Sequence, residues 1–226
     1  MSFELSDNEL RVLGALLEKQ VTTPDQYPLT LKALVSACNQ KSNREPVMAL
    51  SESEVRATVA LLEQRYLISK RTEYGSRVTK HRQRMCNTEF GTLKFEPGEF
   101  AIMCLLMLRG PQTPGELRSR SGRLHAFDSV DEVNETLTTL ATRDDGPFVV
   151  RLQREPGRRE SRYAHLLGAE APQSVDSEPQ QERTSAPPRA APKSGDDRVG
   201  LLEKRVEALE QELAQLKDSL GVNDDP

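Results

Sequence analysis

The side chains able to do metal or covalent chemistry are few in this chain and far apart. There are three cysteines, Cys38, Cys86 and Cys104, and three histidines, His81, His125 and His165. His81 and Cys86 are five positions apart, but no second pair completes the four N/S ligands that structural zinc requires. No Gly-rich phosphate loop, His-x-x-x-His pair or nucleophile elbow occurs. Cys104 lies within the apolar run AIMCLLML at 101–108, where a thiol acts as a small hydrophobe. The residues therefore predict no metal, no cofactor and no enzymatic activity. An odd number of dispersed cysteines fits a reducing compartment better than a disulfide framework.

Cations are grouped more tightly. Lys70, Arg71, Arg77, Lys80, Arg82 and Arg84 stand against a single acid, Glu73. A second group, Arg151, Arg154, Arg158, Arg159 and Arg162, is diluted by Glu155 and Glu160. Arg and Lys at this density on a hairpin can follow phosphates or enter a minor groove. The plainer alternative is a charged edge that keeps an exposed strand from pairing with other chains. A third group lies in CNQKSNREPVMAL at 38–50, where Asn39, Gln40, Lys41, Asn43 and Arg44 are rich in donors. It is either a binding projection or a local cap that satisfies helix ends. Pro46 disfavours helix at Glu45, and Val47, Met48 and Leu50 are expected to pin the loop to the core.

The elements that must carry these groups follow from apolar spacing. Leu10, Leu13 and Leu17 recur as Phe100, Met103 and Met107 at an offset of 90. Val55, Val59 and Leu62 recur as Val133, Leu137 and Leu140 at an offset of 78, and Thr30 and Leu34 recur as Thr113 and Leu117. These spacings are helical. Ser6-x-x-Glu9, Ser51-x-x-Glu54 and Ser129-x-x-Glu132 predict capping boxes, and Pro97 a first-turn proline. After each third helix comes a hairpin pattern. The first has strands at 66–70 and 77–80 around a turn at 73–76. The second has strands at 147–152 and 161–167 around Arg154–Gly157.

Three helices and a two-stranded wing is the winged-helix order, and here it occurs twice. The predicted class is mainly α with small β-wings. Residues 1–92 and 93–168 would form two tandem winged-helix (helix-turn-helix) domains. Residues 169–197, rich in Pro, Ser, Gln and charge, read as a disordered linker. Residues 198–220 read as a coiled coil, with Val199, Leu202, Val206, Leu209, Leu213, Leu216 and Leu220 as its seam. Opposite charges face across that seam in a parallel pair, which favours a homodimer over intramolecular docking.

The recognition helices argue against strong base reading. The third helix begins Ser51-Glu-Ser-Glu with Arg56 as its nearby cation. The sixth begins Ser129-Val-Asp-Glu and has no cation until Arg143. Several acids at the point of entry repel a polyanion. Net charge does not decide the matter. The total of −4 divides into 24 Lys and Arg against 22 Asp and Glu through Gly168, then 7 against 13. The acidic excess thus belongs to the tail. The first residues lack a basic signal-like region, and the longest apolar run is too short for a bilayer. A cytoplasmic chain without membrane contact is expected.

Taken together, CNQKSNREPVM, SRVTKHRQRMCNTEF and RLQREPGRRESRYAHL resemble the bacterial YceH-type family of uncharacterised proteins. The resemblance covers about residues 5–168 and leaves the linker and coiled coil outside. It implies paired winged-helix domains in a bacterial cytoplasmic protein. It implies no activity and no binding residues. The expected function is duplex DNA binding in a transcription-related role, mainly through the wings. The alternative is an adaptor whose winged helices bind another protein.

Overall fold

The computed structural model describes residues 3–72, 78–89, 91–157 and 159–169. The turn expected at 73–76, Arg77, Arg158, and the linker and coiled coil expected beyond Ala169 lie outside the described residues.

Among the described residues six α-helices form where the apolar spacing places them. They are α1 (Asp7–Thr22), α2 (Leu31–Cys38), α3 (Glu52–Gln64), α4 (Pro97–Arg109), α5 (Pro114–Ser121) and α6 (Val130–Thr142). Ser6 and Ser51 close full capping boxes with Glu9 and Glu54. Thr113 and Glu116 close a third that was not expected. Ser129 caps only halfway. Its hydroxyl accepts from Glu132 N–H, but the Glu132 carboxylate takes the Asp128 N–H instead of closing the box. Pro97 opens α4 as expected, and Gly110, at φ 68°, follows its last turn.

The first-half strands are shifted along the chain relative to their sequence pattern, and the second-half strands are shorter than theirs. β1 (Leu29–Thr30), β2 (Ile68–Thr72) and β3 (Thr79–Gln83) form an antiparallel sheet in the order β1-β3-β2. β4 (Val149–Arg151) and β5 (Tyr163–His165) pair antiparallel in the second half. β1 has too few residues to give a periodic signal and was not expected. Its counterpart in the second half is a single bridge, Gln112 to Tyr163. Among the described residues the architecture is therefore mixed α and β: six α-helices with two small antiparallel sheets, in an order that repeats.

The two triplets of helices bury their apolar faces in one hydrophobic cluster. α1 and α4 lie at its centre, buried nearly all round from Glu9 to Glu18 and from Glu99 to Leu108. They approach closely because Gly14 has no side chain. A Cβ there would stand 2.9 Å from Leu108 Cδ2. The Cys104 thiol donates to Gly14 O at 3.7 Å. The chain ends of this unit also meet, as Leu5 N–H donates to Leu167 O at 2.8 Å and Ala169 N–H to Leu5 O at 3.1 Å. Among the described residues no helix is long and apolar enough to cross a membrane.

Candidate nucleic-acid interface

Of the two readings of the donor-rich corner at 39–50, the local cap fits its bonds better: four of the five candidate donors are held within the chain, although half of the corner's residues are exposed. Arg44 is 4% exposed. Its two terminal nitrogens grip Glu18 of α1 at 3.1 and 2.7 Å, and its Nε donates to Ala37 O at 3.0 Å. Burial alone would push Glu18 up; the hydrogen bonds and charge of Arg44, with Lys19 beside it, outweigh burial and hold it below the usual carboxylate range. Asn39 closes the corner, accepting from Leu50 N–H at 2.8 Å and donating to Leu50 O at 2.7 Å. Gln40 accepts from Lys19 at 3.4 Å. Asn43 sits at φ 55°, which asparagine tolerates, and its Oδ1 accepts from Arg109 of α4 at 2.9 Å. Lys41 alone among the five candidates is exposed with no bond of this kind among the described residues.

This corner joins the halves. Glu45 N–H donates to Leu108 O at 2.9 Å. Arg11 of α1 reaches into the corner from below, donating to Cys38 O at 3.1 Å and to Pro46 O at 2.7 Å. The Glu45–Pro46 peptide is cis. Leu50 packs on the core as expected, but Val47 does not; it is 56% exposed. Sequence reasoning missed Arg11 and Glu18. They lie seven positions apart on α1, which puts them on one helical face with buried leucines. That spacing was the available signal.

The first-half hairpin sorts its cations by strand alternation. His81 and Gln83 are buried on one face of β3. Lys80 and Arg82 alternate with them on the other. Across the ladder Arg71 faces Lys80 and Ser69 faces Arg82, so Arg71 joins that second face. Arg71, Arg82 and Arg84 border one shallow recess with Ser69, Lys70, Thr88 and one acid, Glu89. Arg71 and Arg82 also line a neighbouring recess with Gln20, Tyr27 and Asn87. None of these three arginines has an ion pair among the described residues. Lys70 belongs to the opposite face, paired with His81 across the strands and with Glu63 of α3 at 2.5 Å. It was expected beside the other cations; the ladder register and Glu63 draw it to the other face, although it still borders the recess of Arg71, Arg82 and Arg84.

The helix beside this hairpin adds little charge. Arg56 is exposed but tied to Glu52 at 2.6 Å. The outer side of α3 presents Ala57, Ala60 and Leu61, and Leu61 is 53% exposed. Tyr66, at φ 58°, is 76% exposed just beyond it.

The second half has a different character. Arg151, Arg154 and Arg159 are exposed. Arg162 is half-buried and 3.8 Å from Glu155. Arg143, the first cation after the start of α6, folds back onto the core. It binds Glu99 at 2.9 Å and Asp145 at 2.8 Å and lies over the rings of Phe95 and Phe148. The face of α6 near its start is left with Asp131 and Glu135 and no cation.

The three thiols are inert by environment. Burial pushes Cys38 and Cys86 up to about 12, and Cys104 higher still.

These features define a class: a two-half α and β chain with a shared core and one cationic sheet face. Similarity to known proteins supplies the family. Residues 5–158 match the family described as a protein of unknown function, DUF480. The chain is 54% identical over 220 residues to the UPF0502 protein YceH of Escherichia fergusonii, covering 97% of this chain and 96% of that one. It is 51% identical over 221 residues to a UPF0502 protein of Pectobacterium carotovorum subsp. carotovorum, with 98% of each covered. A UPF0502 protein YceH of Salmonella newport gives 54% over 220 residues. The chain belongs to this YceH-type family. The relatives align over nearly its whole length, so the C-terminal region expected to fall outside the resemblance lies largely within it.

Proposed function

We propose that each half is a winged-helix unit and that the first half binds duplex DNA through phosphates. The observation that carries this reading is the sheet face of Arg71, Lys80, Arg82 and Arg84. Its three arginines lack ion pairs among the described residues, so their charge is available to a polyanion. Phosphate binding is sequence-independent and needs no base-reading helix. That suits α3, whose first turn is acidic. The role is binding rather than catalysis, in a transcription-related or other DNA transaction in the cytoplasm. The heptad seam at 198–220 would make the chain a homodimer. Sedimentation tests that part: Leu209→Glu with Leu213→Glu should give the monomer mass, and an unchanged mass would remove the dimer.

The test of DNA binding is affinity for a duplex as a function of salt. Wild type should lose affinity steeply as salt rises. Arg71→Ala, Arg82→Ala and Arg84→Ala together should reduce that slope by up to about 3, roughly 1 for each phosphate left without its arginine. Absence of duplex binding at low salt would end this reading.

A second reading has its own support. Ala57, Ala60, Leu61 and Tyr66 form an uncharged exposed strip along and beyond α3. Such a strip suits a protein partner better than DNA. On the adaptor reading, Leu61→Asp would abolish capture of that partner and leave duplex affinity alone.

A further inference from the structure

A recess of about 540 Å³ lies between α3, the start of α2 and the buried-side face of the β2–β3 hairpin. Glu63, near the end of α3, lines it. One oxygen of Glu63 meets Lys70 Nζ at 2.5 Å, and the other lies 3.6 Å from His81 Nδ1. Lys70 and His81 are directly opposite across the ladder. A single carboxylate therefore reaches both strands of the hairpin. Glu63 Oε1 and His81 Nδ1 are shielded from solvent, and neither has a hydrogen-bond partner; at 3.6 Å they face each other as a charge contact. The hairpin is also fixed at its base. Arg84 N–H donates to Leu67 O, and Gln83 bonds to Tyr27 Oη at 2.8 Å and to Gln20 at 3.0 Å. Those bonds sit at the Gln83 end of the ladder, next to Ile68, while Glu63 acts two ladder positions further out.

We infer that Glu63 is a positioning residue for the cationic sheet face, holding the hairpin against α3 through Lys70 and His81, and that uptake of a proton by His81 loosens that hold. The inference rests on the DNA reading above for its consequence, though not for its mechanics. The charged groups around His81 are Glu63, Arg56 and Glu52 from α3, Lys70 from β2 and Lys32 from α2 across the recess. β1 contributes only Leu29 and Thr30. Burial pulls His81 below its ordinary 6.5; Glu63 opposes this without balancing it, and Lys70 and Arg56 add to the lowering. An opened hairpin returns His81 to water and to its ordinary value. Protons therefore favour the open form, in the window at and below 6.5.

The experiment is amide hydrogen exchange on the full chain, corrected for intrinsic rates, with duplex affinity measured in parallel. In Glu63→Gln the amides of 68–72 and 79–83 should exchange about tenfold faster, while those of α4 to α6 stay unchanged. Lys70→Ala, at an exposed site that should not disturb folding, should move the same amides by a smaller factor. Between about pH 7 and pH 5 wild type should lose hairpin protection, and His81→Gln should not. Duplex affinity of Glu63→Gln should fall with its salt slope intact, because every phosphate-binding cation is still present. Unchanged hairpin exchange in Glu63→Gln, or a flat pH profile in wild type, overturns the inference. If exchange responds as stated but wild type binds no duplex, the tether stands and the DNA reading fails.

Discussion

The two halves repeat one element order and use it differently. In the first half the corner between α2 and α3 runs from Asn39 to Ser51 and carries the buried Arg44–Glu18 pair and the bonds to Leu108 and Arg109. In the second half the corner between α5 and α6 is shorter, from Gly122 to Ser129. It is held by Arg118, whose guanidinium donates to Asp128 O at the surface at 2.8 Å. The sheets diverge too. The first has three strands and a cationic face, while the second has two strands and a mixed one. Divergence of the repeat gave the first half both the joint between the halves and the candidate interface. The extra residues in its corner are structural residues of that joint.

The largest expected effect tests the joint. Arg44→Met leaves Glu18 buried without its main partner and should cost about 3–5 kcal/mol in chemical denaturation. Arg118→Ala at the matching corner should cost about 0.5–1 kcal/mol, since its bond is exposed. Equal losses at the two sites would break the comparison. Asn39→Ala comes next, at about 1–3 kcal/mol, because it strips both bonds from the Leu50 backbone.

A pH measurement sharpens the same contrast. Glu18 is held below its usual range, so its contribution to stability is present above the unfolded carboxylate value of 4.5 and is lost as pH falls through the folded value. In Arg44→Met burial dominates and the Glu18 pKa rises. Its contribution is then present at low pH and lost as pH rises. Thermal melts should therefore show wild type losing this contribution as pH falls below about 4.5 and Arg44→Met losing its own as pH rises above that value.

The hairpins give the next contrast. Arg151→Ala, Arg154→Ala and Arg159→Ala together should leave the salt slope of duplex binding nearly unchanged, where the first-half triple variant flattens it. A matched loss from both would place the second hairpin on DNA as well. The smallest effect is expected at the exposed Glu52–Arg56 pair, where Arg56→Ala should fall within about 0.5 kcal/mol of wild type.

Much of the fold was legible because helix signals are local. Apolar residues at helical spacing located α1 to α6, and Ser-x-x-Glu marked the starts of α1, α3 and α6. The strands were less legible. β2 and β3 lie two to three residues beyond their pattern, and β1 is two residues long, so pairing with β3 and not local sequence makes it a strand. Of the candidate site, the density of cations on the first hairpin was visible in the sequence, but their division between two faces was not. Lys70 and Arg71 are adjacent and chemically alike, yet one serves Glu63 and the other the open face. Ladder register decides that, and register is a property of the pairing.

By itself the sequence determined the repeated order of elements, the helix starts and the places where charge collects. Each depends on residues within a turn or two of one another. Only the tertiary structure decided what the charges do. Arg44 and Arg71 are equally cationic in the sequence. Arg44 ends beside Glu18, 26 positions away along the chain, because α1 and the corner pack together, and burial there makes pairing obligatory. Arg71 ends on a strand face with no partner among the described residues, and solvent leaves its charge free to act on something else.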